Sequence, residues 1–339
     1  MKIFAIGDLH FSGEPPTKPM DVFGPHWQNH RERIIAAWRE QVSDDDIVFV
    51  VGDTSWALRL AEAVSDLKAI AQLPGQIYLI RGNHDYWWSS AKKMDTAMQQ
   101  ELTFLQGHGT AIDHIAFGGT RGYLCPNDTS FDEAADTSIY ARELLRTEAA
   151  LQEMEQALRK NGSVTSTTET VATQADNNVA ASSSAHAPIR ILLLHYPPFN
   201  DKNEPSGFTE LLEKYKVDHC IFGHLHDKNS FDRIPETFGN TKLHLVSADI
   251  WISNLNKFYK ELFMSRIHRE HLQAGYIFGD IANEEYIYLP AGEVGVDSPM
   301  CVLERHGNYE DVSLDEATHL IDTLSLKPCS HPKLGKRSF

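Results

Sequence analysis

The sequence predicts an α/β fold, and three observations carry that prediction. Short β-branched or aromatic runs alternate with longer amphipathic stretches from the amino terminus to Ile80. Turn residues such as Pro74-Gly75 punctuate the crossovers between them. Asp, Asn and His residues cluster just after the apolar runs, where parallel sheets of α/β proteins present their ligand-binding edge.

In chain order, the strands expected are Lys2–Ile6, Ile47–Val51, Ile77–Ile80, His114–Gly118, Ile189–Leu194, His219–Phe222 and Lys242–Val246. Helices are expected around Asn29–Val42 and Leu58–Ala71, the second from the helical spacing of Leu60, Val64, Leu67 and Ala71. Strand–helix–strand–helix–strand is the pattern of parallel βαβ units. Phe131–Lys160 reads as one long helix. Leu144, Leu151 and Leu158 stand at heptad spacing there, too few for a coiled-coil seam, so the stripe is expected to dock on the domain. The stretch 161–188 is nearly all small and polar, cannot bury enough apolar surface to offset its ordering entropy, and reads as a disordered surface insertion. His186 within it is expected to be a solvated bystander.

Domain organisation follows as 1–250, interrupted by that insertion, and a partly helical carboxyl extension, 251–339. In the extension, Trp251–Tyr288 carries Ile252, Leu255, Phe258, Tyr259, Leu262, Phe263 and Ile267 at helical spacing among Lys and Arg. A membrane-surface helix has such a face. A packed helix has it more often. The tail after Leu326 reads as a frayed terminus.

Composition removes several function classes. The chain has 339 residues, with 31 Lys+Arg against 47 Asp+Glu and a net charge of −16. Such a field repels polyanions, so long nucleic acids and anionic membranes are not expected partners, while a small phosphorylated substrate stays admissible. Four scattered cysteines, Cys125, Cys220, Cys301 and Cys329, make neither a disulfide framework nor a zinc knuckle. The apolar run Ile3–Ile6 is too short for a signal-peptide core, and no later run approaches a membrane span. The cytoplasm is the expected compartment.

The residues that can carry chemistry stand just past the strand ends. Asp8 and His10 come after the first strand, Asp53 after the second, and Asn83, His84 and Asp85 after the third. His195 succeeds Ile189–Leu194, and His224 and His226 succeed His219–Phe222. Any one of these is an ordinary turn or a satisfied polar residue. Five strand ends of this kind, on neighbouring parallel strands, converge on one rim.

Gly7-Asp8-Leu9-His10, Gly52-Asp53, Gly82-Asn83-His84-Asp85, His195 and Gly223-His224-Leu225-His226 resemble, in order and type, the calcineurin-like metallophosphoesterase superfamily. The resemblance spans residues 1 to about 250. Within it, GDTSWAL, RGNHDYWW, GTRGY and HYPP are similar to an uncharacterised bacterial branch. The resemblance implies a metallophosphatase-like β-sandwich of two mixed sheets flanked by helices in four layers. It also implies a binuclear metal centre: Asp8, His10 and His226 on one ion, Asn83, His195 and His224 on the other, with Asp53 bridging. Carboxylate, imidazole and amide ligands without thiolate suit Mn, Fe or Zn rather than an all-oxygen calcium site. Two such ions roughly 3.5–4 Å apart clamp phosphoryl oxygens and turn a bridging water into hydroxide near neutral pH. His84 corresponds to the superfamily's non-ligand histidine, the general acid for the leaving oxygen.

One departure stands out. The superfamily's protein Ser/Thr phosphatases carry an Asp-Arg-Gly after the bridging Asp, which orients the catalytic His and grips phosphate. Here those places hold Trp56, Ala57 and Leu58. Asp85 is the adjacent candidate to orient His84. Arg81 and Arg121, both beside glycines, are candidates to grip phosphate or else ordinary surface ion-pair formers. Trp87 and Trp88 are expected to pack around the loop rather than to stack on a substrate ring.

The function expected is metal-dependent hydrolysis of a small phosphoester. A nuclease or nucleotide phosphohydrolase is the alternative among enzymes. A catalytically silent scaffold would be expected to lose ligands or His84, and here every one of those positions is filled. An oxygen-activating di-metal protein would place its ligands in a helical bundle, not at strand ends.

Overall fold

The strands β1 (Ile3–Ile6), β2 (Ile47–Val51), β3 (Gln76–Ile80) and β4 (Thr103–Leu105) form a sheet in that order, every neighbouring pair parallel. Register pairs Ile3 with Ile47 and Val51 with Ile80. β2 is buried along its whole length, which is why its sequence, IVFVV, is an unbroken apolar run. The computed structural model describes residues 1–162, 187–226 and 232–248, and the strands Gly275–Asp280, Glu285–Pro290, Cys301–Arg305, Asn308–Val312 and Lys327–Pro328.

A second sheet contains β5 (His108–Ile112), β6 (Ile115–Thr120), β7 (Ile189–Leu194), β8 (His219–Phe222), β9 (Thr237–Phe238) and β10 (Thr241–Leu245), in the order β5-β6-β7-β8-β10-β9. β6, β7, β8 and β10 run parallel, and the two outer strands antiparallel. The sheets meet through Phe49 of β2 and Tyr78 of β3, whose rings lie 5.0 and 4.6 Å from that of Phe117 in β6. Along the carboxyl edge they are stitched together: Gly7 N–H donates to the Val246 carbonyl (2.8 Å), and Ala248 N–H to that of Gly7 (3.0 Å).

Helices cover the outer faces. α1 (His30–Gln41) sets Ile34, Ala37 and Trp38 against Phe4 and Val48 of the first sheet. α2 (Leu60–Ala71) and α3 (Ala91–Met98) pack on each other. α4 (Glu133–Lys160) lies on β5 and β6 and contacts α5 (Gly207–Lys214). Its Leu151, Met154 and Leu158 join Leu192 and Leu194 of β7 and Phe208 and Leu212 of α5 in one buried cluster. The leucine stripe therefore docks, as its composition predicts. Asp132 caps α4, accepting from the N–H groups of Ala134 and Ala135. The expected sandwich of two sheets flanked by helices is the fold observed.

The chain divides into two units, Met1–Leu255 and Asn256–Phe339. In the second, β11 (Gly275–Asp280), β12 (Glu285–Pro290), β13 (Cys301–Arg305), β14 (Asn308–Val312) and β15 (Lys327–Pro328) form an antiparallel sheet ordered β14-β13-β12-β11-β15. Two expectations are corrected here. The carboxyl end of Trp251–Tyr288 is strand rather than helix, because β11 and β12 pair as a ladder from Gly275–Pro290 to Asp280–Glu285. The tail after Leu326 is not wholly frayed, since Lys327 and Pro328 pair with Gly279 and Phe278. The stripe Ile252–Ile267 lies outside the described residues, as do residues 163–186 of the polar stretch with His186. Cys125 and Cys220 are buried free thiols, and burial pushes Cys125 up to about 12. Among the described residues no helix is long and apolar enough to cross a membrane.

A buried histidine pair lies inside the second sheet. Nδ1 of His219 is 2.9 Å from Nε2 of His244, and the rings stack 5.2 Å apart. Burial, and then the neighbouring His219, lower His244 from 6.5 to about 3. A side chain held neutral in the fold takes up its proton only on unfolding. Its contribution is therefore intact above pH 6.5 and is lost as pH falls from there towards about 3. The slope is up to about 1.4 kcal/mol per pH unit. Denaturant melts between pH 7 and 5 should show His244→Phe with a flatter loss of stability than the parent. An unchanged slope would mean that His244 is protonated in the fold.

Candidate metal centre

The loops after β1, β2, β3, β7 and β8 meet at the stitched edge of the two sheets. Backbone bonds lace them: Asp8 N–H to the Gly52 carbonyl (2.9 Å), His10 N–H to that of Asp53 (2.9 Å), and Gly223 N–H to that of His195 (3.1 Å). Asp8, His10, Asp53 and His224 all have positive φ, at 58°, 47°, 51° and 72°. Left-handed backbone costs a non-glycine residue of order 1 kcal/mol and clusters at functional sites. It turns each side chain off the strand direction and into the rim. Gly82 makes room for them, since a Cβ there would overlap Oδ1 and the backbone nitrogen of Asp53.

The structure brings all seven predicted ligand residues, Asp8, His10, Asp53, Asn83, His195, His224 and His226, to this one place. Ligand atoms of Asp8, His10 and His226 lie within 4.8 Å of one another, as do those of Asp8, Asp53 and His195, so Asp8 belongs to both groups. Oδ2 of Asp53 is 3.8 Å from Nε2 of His10 and 3.5 Å from Nε2 of His195. Oδ1 of Asn83 is 2.6 Å from Nε2 of His195 and 3.0 Å from Nδ1 of His224. Asp8 Oδ2 accepts the His224 N–H (3.0 Å), and Asp53 Oδ1 that of His84 (2.8 Å). Most of these groups are fully buried. His226, with 35% of its side chain exposed, marks the solvent side.

The donor set fits divalent cations. Nδ1–H of His195 donates to the Val51 carbonyl (2.9 Å), which leaves Nε2 with a bare lone pair facing two oxygen acceptors. Asp8 Oδ1 and His10 Nδ1 are buried without a hydrogen-bond partner. Acceptors that face one another without intervening protons are the arrangement a cation resolves.

Electrostatics agree. Burial alone would raise Asp8, yet contact with His226 and the surrounding imidazoles hold it below the usual carboxylate range. Burial, then the charge of Asp8, pushes Asp53 up to about 8. Burial drives His10 and His224 down to about 3 and lowers His195, so these rings are neutral at pH 7. Perturbation on this scale, at convergent groups, is the signature of a functional site.

His84 stands beside the cluster, half-buried and lowered by burial and by His195. Asp85 does not orient it, which corrects the sequence expectation. The Asp85 carboxylate is turned inward and accepts from Thr54 N–H, Ser55 N–H, Gly82 N–H and Trp87 Nε1–H. Trp56 contacts the His84 ring instead. Its ring lies 4.6 Å from that of His84 and stacks on His10 at 4.6 Å and 20°. Trp56 is itself fixed by its N–H to the Phe11 carbonyl (2.8 Å) and by Nε1–H to Met20 Sδ (3.1 Å). The sequence reading missed this residue, whose one signal is an aromatic at a place where the protein phosphatases carry polar groups.

Arg81 and Arg121 follow β3 and β6 at the same edge. Each has a buried, unpartnered Nε, and neither forms an ion pair with a described residue. Arg121 lies over the Tyr123 ring at 5.1 Å, and its charge acts on Asp53. Trp87 is buried and packs with Trp88 and Phe104, as expected of a core residue.

The chain is similar to several known proteins. An uncharacterised protein of Methanocaldococcus jannaschii is 32% identical over 84 residues, which are 25% of this chain and 47% of that protein. Solved structures similar to this chain include a protein of unknown function from Aquifex aeolicus, at 14% identity and a TM-score of 0.36, covering 74% of this chain and 92% of that one. The phosphopantetheinyl hydrolase of Mycobacterium tuberculosis aligns at 13% identity and a TM-score of 0.37, over 76% of this chain and 93% of that one. A Thermus thermophilus protein aligns at 9% identity and a TM-score of 0.40, over 92% of this chain and 97% of that one. The sequence model of the calcineurin-like phosphoesterases matches residues 1–228, and the chain belongs to that family.

Proposed function

We propose that this chain hydrolyses small phosphoesters with a pair of divalent cations, Mn, Fe or Zn, held at the rim of its two sheets. The observation that carries this reading is the convergence of Asp8, His10, Asp53, His195 and His226 in two carboxylate–imidazole groups, all buried except His226, with Asn83 between His195 and His224. In it, Asp8, His10 and His226 would hold one cation and Asn83, His195 and His224 the other. Asp53, whose Oδ2 faces His10 and His195 alike, reaches both. Such a pair supplies an acidified water as nucleophile and offsets the charge of the phosphoryl oxygens.

The chain's own residues do the rest. His84 gives its proton to the leaving oxygen. Trp56 holds that imidazole by ring contact, the duty a carboxylate has in the protein phosphatases. Arg81 and Arg121, without carboxylate partners among the described residues, are free to grip phosphate oxygens. His226 marks the side from which substrate arrives.

Asp53→Asn should lower the bound metal from two ions per chain and reduce turnover by more than about a hundredfold. Elemental analysis, with turnover of 4-nitrophenyl phosphate and of its bis-ester, reads both and separates monoesterase from diesterase. Full activity with two ions in that variant would overturn bridging by Asp53. No turnover of either ester with Mn, Fe or Zn would leave the scaffold reading.

His84→Asn should keep both ions and lose about 10²- to 10⁴-fold in kcat, most with poor leaving groups. Loss of metal instead would make His84 a ligand. Trp56→Leu should reproduce a smaller version of the same leaving-group dependence, with Trp56→Phe restoring most of it. A uniform loss across leaving groups would remove Trp56 from the orientation of His84.

A further inference from the structure

A cavity of about 250 Å³ opens directly behind His224, between the loops that follow β6, β7 and β8. Its floor is the metal centre's own edge. The Tyr196 ring lies 4.1 Å from that of His224 and 5.6 Å from that of Tyr123. Phe199, Leu124 and Ile234 continue the wall. The size is close to the lower end of small-molecule pockets, enough for a ring but not for an extended ligand.

The polar groups that border it are already used. Asp128 accepts the N–H groups of Ser130 (2.9 Å) and Asp201 (3.0 Å), and Asp201 accepts from Thr129. Asn200 Oδ1 accepts from Lys202 and Glu204, and its amide donates to the Pro126 carbonyl and to Glu204. These bonds tie the loop after β6 to the loop after β7 and fix the cavity's shape in advance. Tyr123, Leu124, Tyr196, Phe199 and Ile234 leave somewhat more apolar than polar surface to face an occupant. Among the described residues, the charged side chains on the lining are two carboxylates, Asp128 and Asp201, against one guanidinium, Arg233. That balance disfavours a second phosphate, which would meet an unfavourable field inside a partly desolvated space.

We infer that this cavity holds the esterified group of the substrate, and that the substrate class is a phosphoester carrying a single phosphoryl group and an uncharged aromatic or heterocyclic ring. This rests on the hydrolase reading, since it sets the phosphoryl group at the metal rim and the ring behind His224. Nucleoside polyphosphates and nucleic-acid strands fall outside the class.

The test uses phosphonates, which bind at the rim without turning over and so serve whether the protein is a monoesterase or a diesterase. Benzylphosphonate and methylphosphonate compete against turnover of 4-nitrophenyl phosphate or its bis-ester by the metal-loaded full chain. Benzylphosphonate should bind about tenfold more tightly or better, as burial of one ring predicts. Leu124→Trp, which fills the cavity, should bring the benzyl-to-methyl ratio close to one, and Ser130→Trp supplies the same test if the first variant does not fold. A ratio near one in the parent, or a ratio that survives filling, would overturn the proposal. A protein that turns over neither ester fails the hydrolase reading. Calorimetric titration of the same metal-loaded protein with the two phosphonates then still decides whether the cavity selects a ring.

Discussion

The rest of the structure answers to one constraint: side chains rich in lone pairs must be held against one another with too few protons between them. Asp8, Asp53, Asn83 and the imidazoles of His10, His195 and His224 occupy a buried space where repulsion among acceptors is not screened by water. A chain does not collapse into that arrangement for its own sake. It is imposed by the surrounding scaffold, through apolar strands on both sheets and hydrogen bonds that spend backbone donors on carboxylate oxygens. Burial keeps the imidazoles neutral and raises Asp53, while contact with His226 and the neighbouring imidazoles holds Asp8 low.

Asp85 has the opposite task from its neighbours. Its carboxylate takes backbone donors from the loops after β2 and β3, together with the Trp87 indole, and so ties to each other the two loops that carry Asp53 and His84. Asp66 does similar work one layer out, joining α2 to Gly13 (2.8 Å) and Ser55 (2.6 Å) in the loops after β1 and β2. The chemical groups are few, and most of the polar bonding around them is devoted to aiming them.

Much of this was legible in the sequence, for identifiable reasons. β2 along its length, Ile191–Leu194 of β7 and Cys220–Phe222 of β8 are buried apolar runs, and the polar residues that follow them stand out by contrast. β4 and β5 were not legible. The first is three residues long. The second, HGTAI, carries Gly109 under α4, where a Cβ would strike the Ala150 carbonyl, so close packing there needs the absence of a side chain rather than an apolar one. Trp56 escaped for a different reason, since spacing along a chain does not say which ring an aromatic faces. Adjacency pointed to Asp85 and was misleading, because a buried carboxylate goes where the N–H donors are.

α4 carries a consequence for the chain's tolerance to change. It starts after the loop that leaves β6 on the side of the candidate metal rim and runs to the far end of the sandwich, where Asn161 donates to the carbonyls of Ala111 and Asp113. β7 then returns from that end, Ile189 to Leu194, and delivers His195 to the rim. Gly162 and Ala187 thus lie at the pole opposite the candidate metal rim. A change made at either of those two residues is separated from the candidate rim by the length of β7.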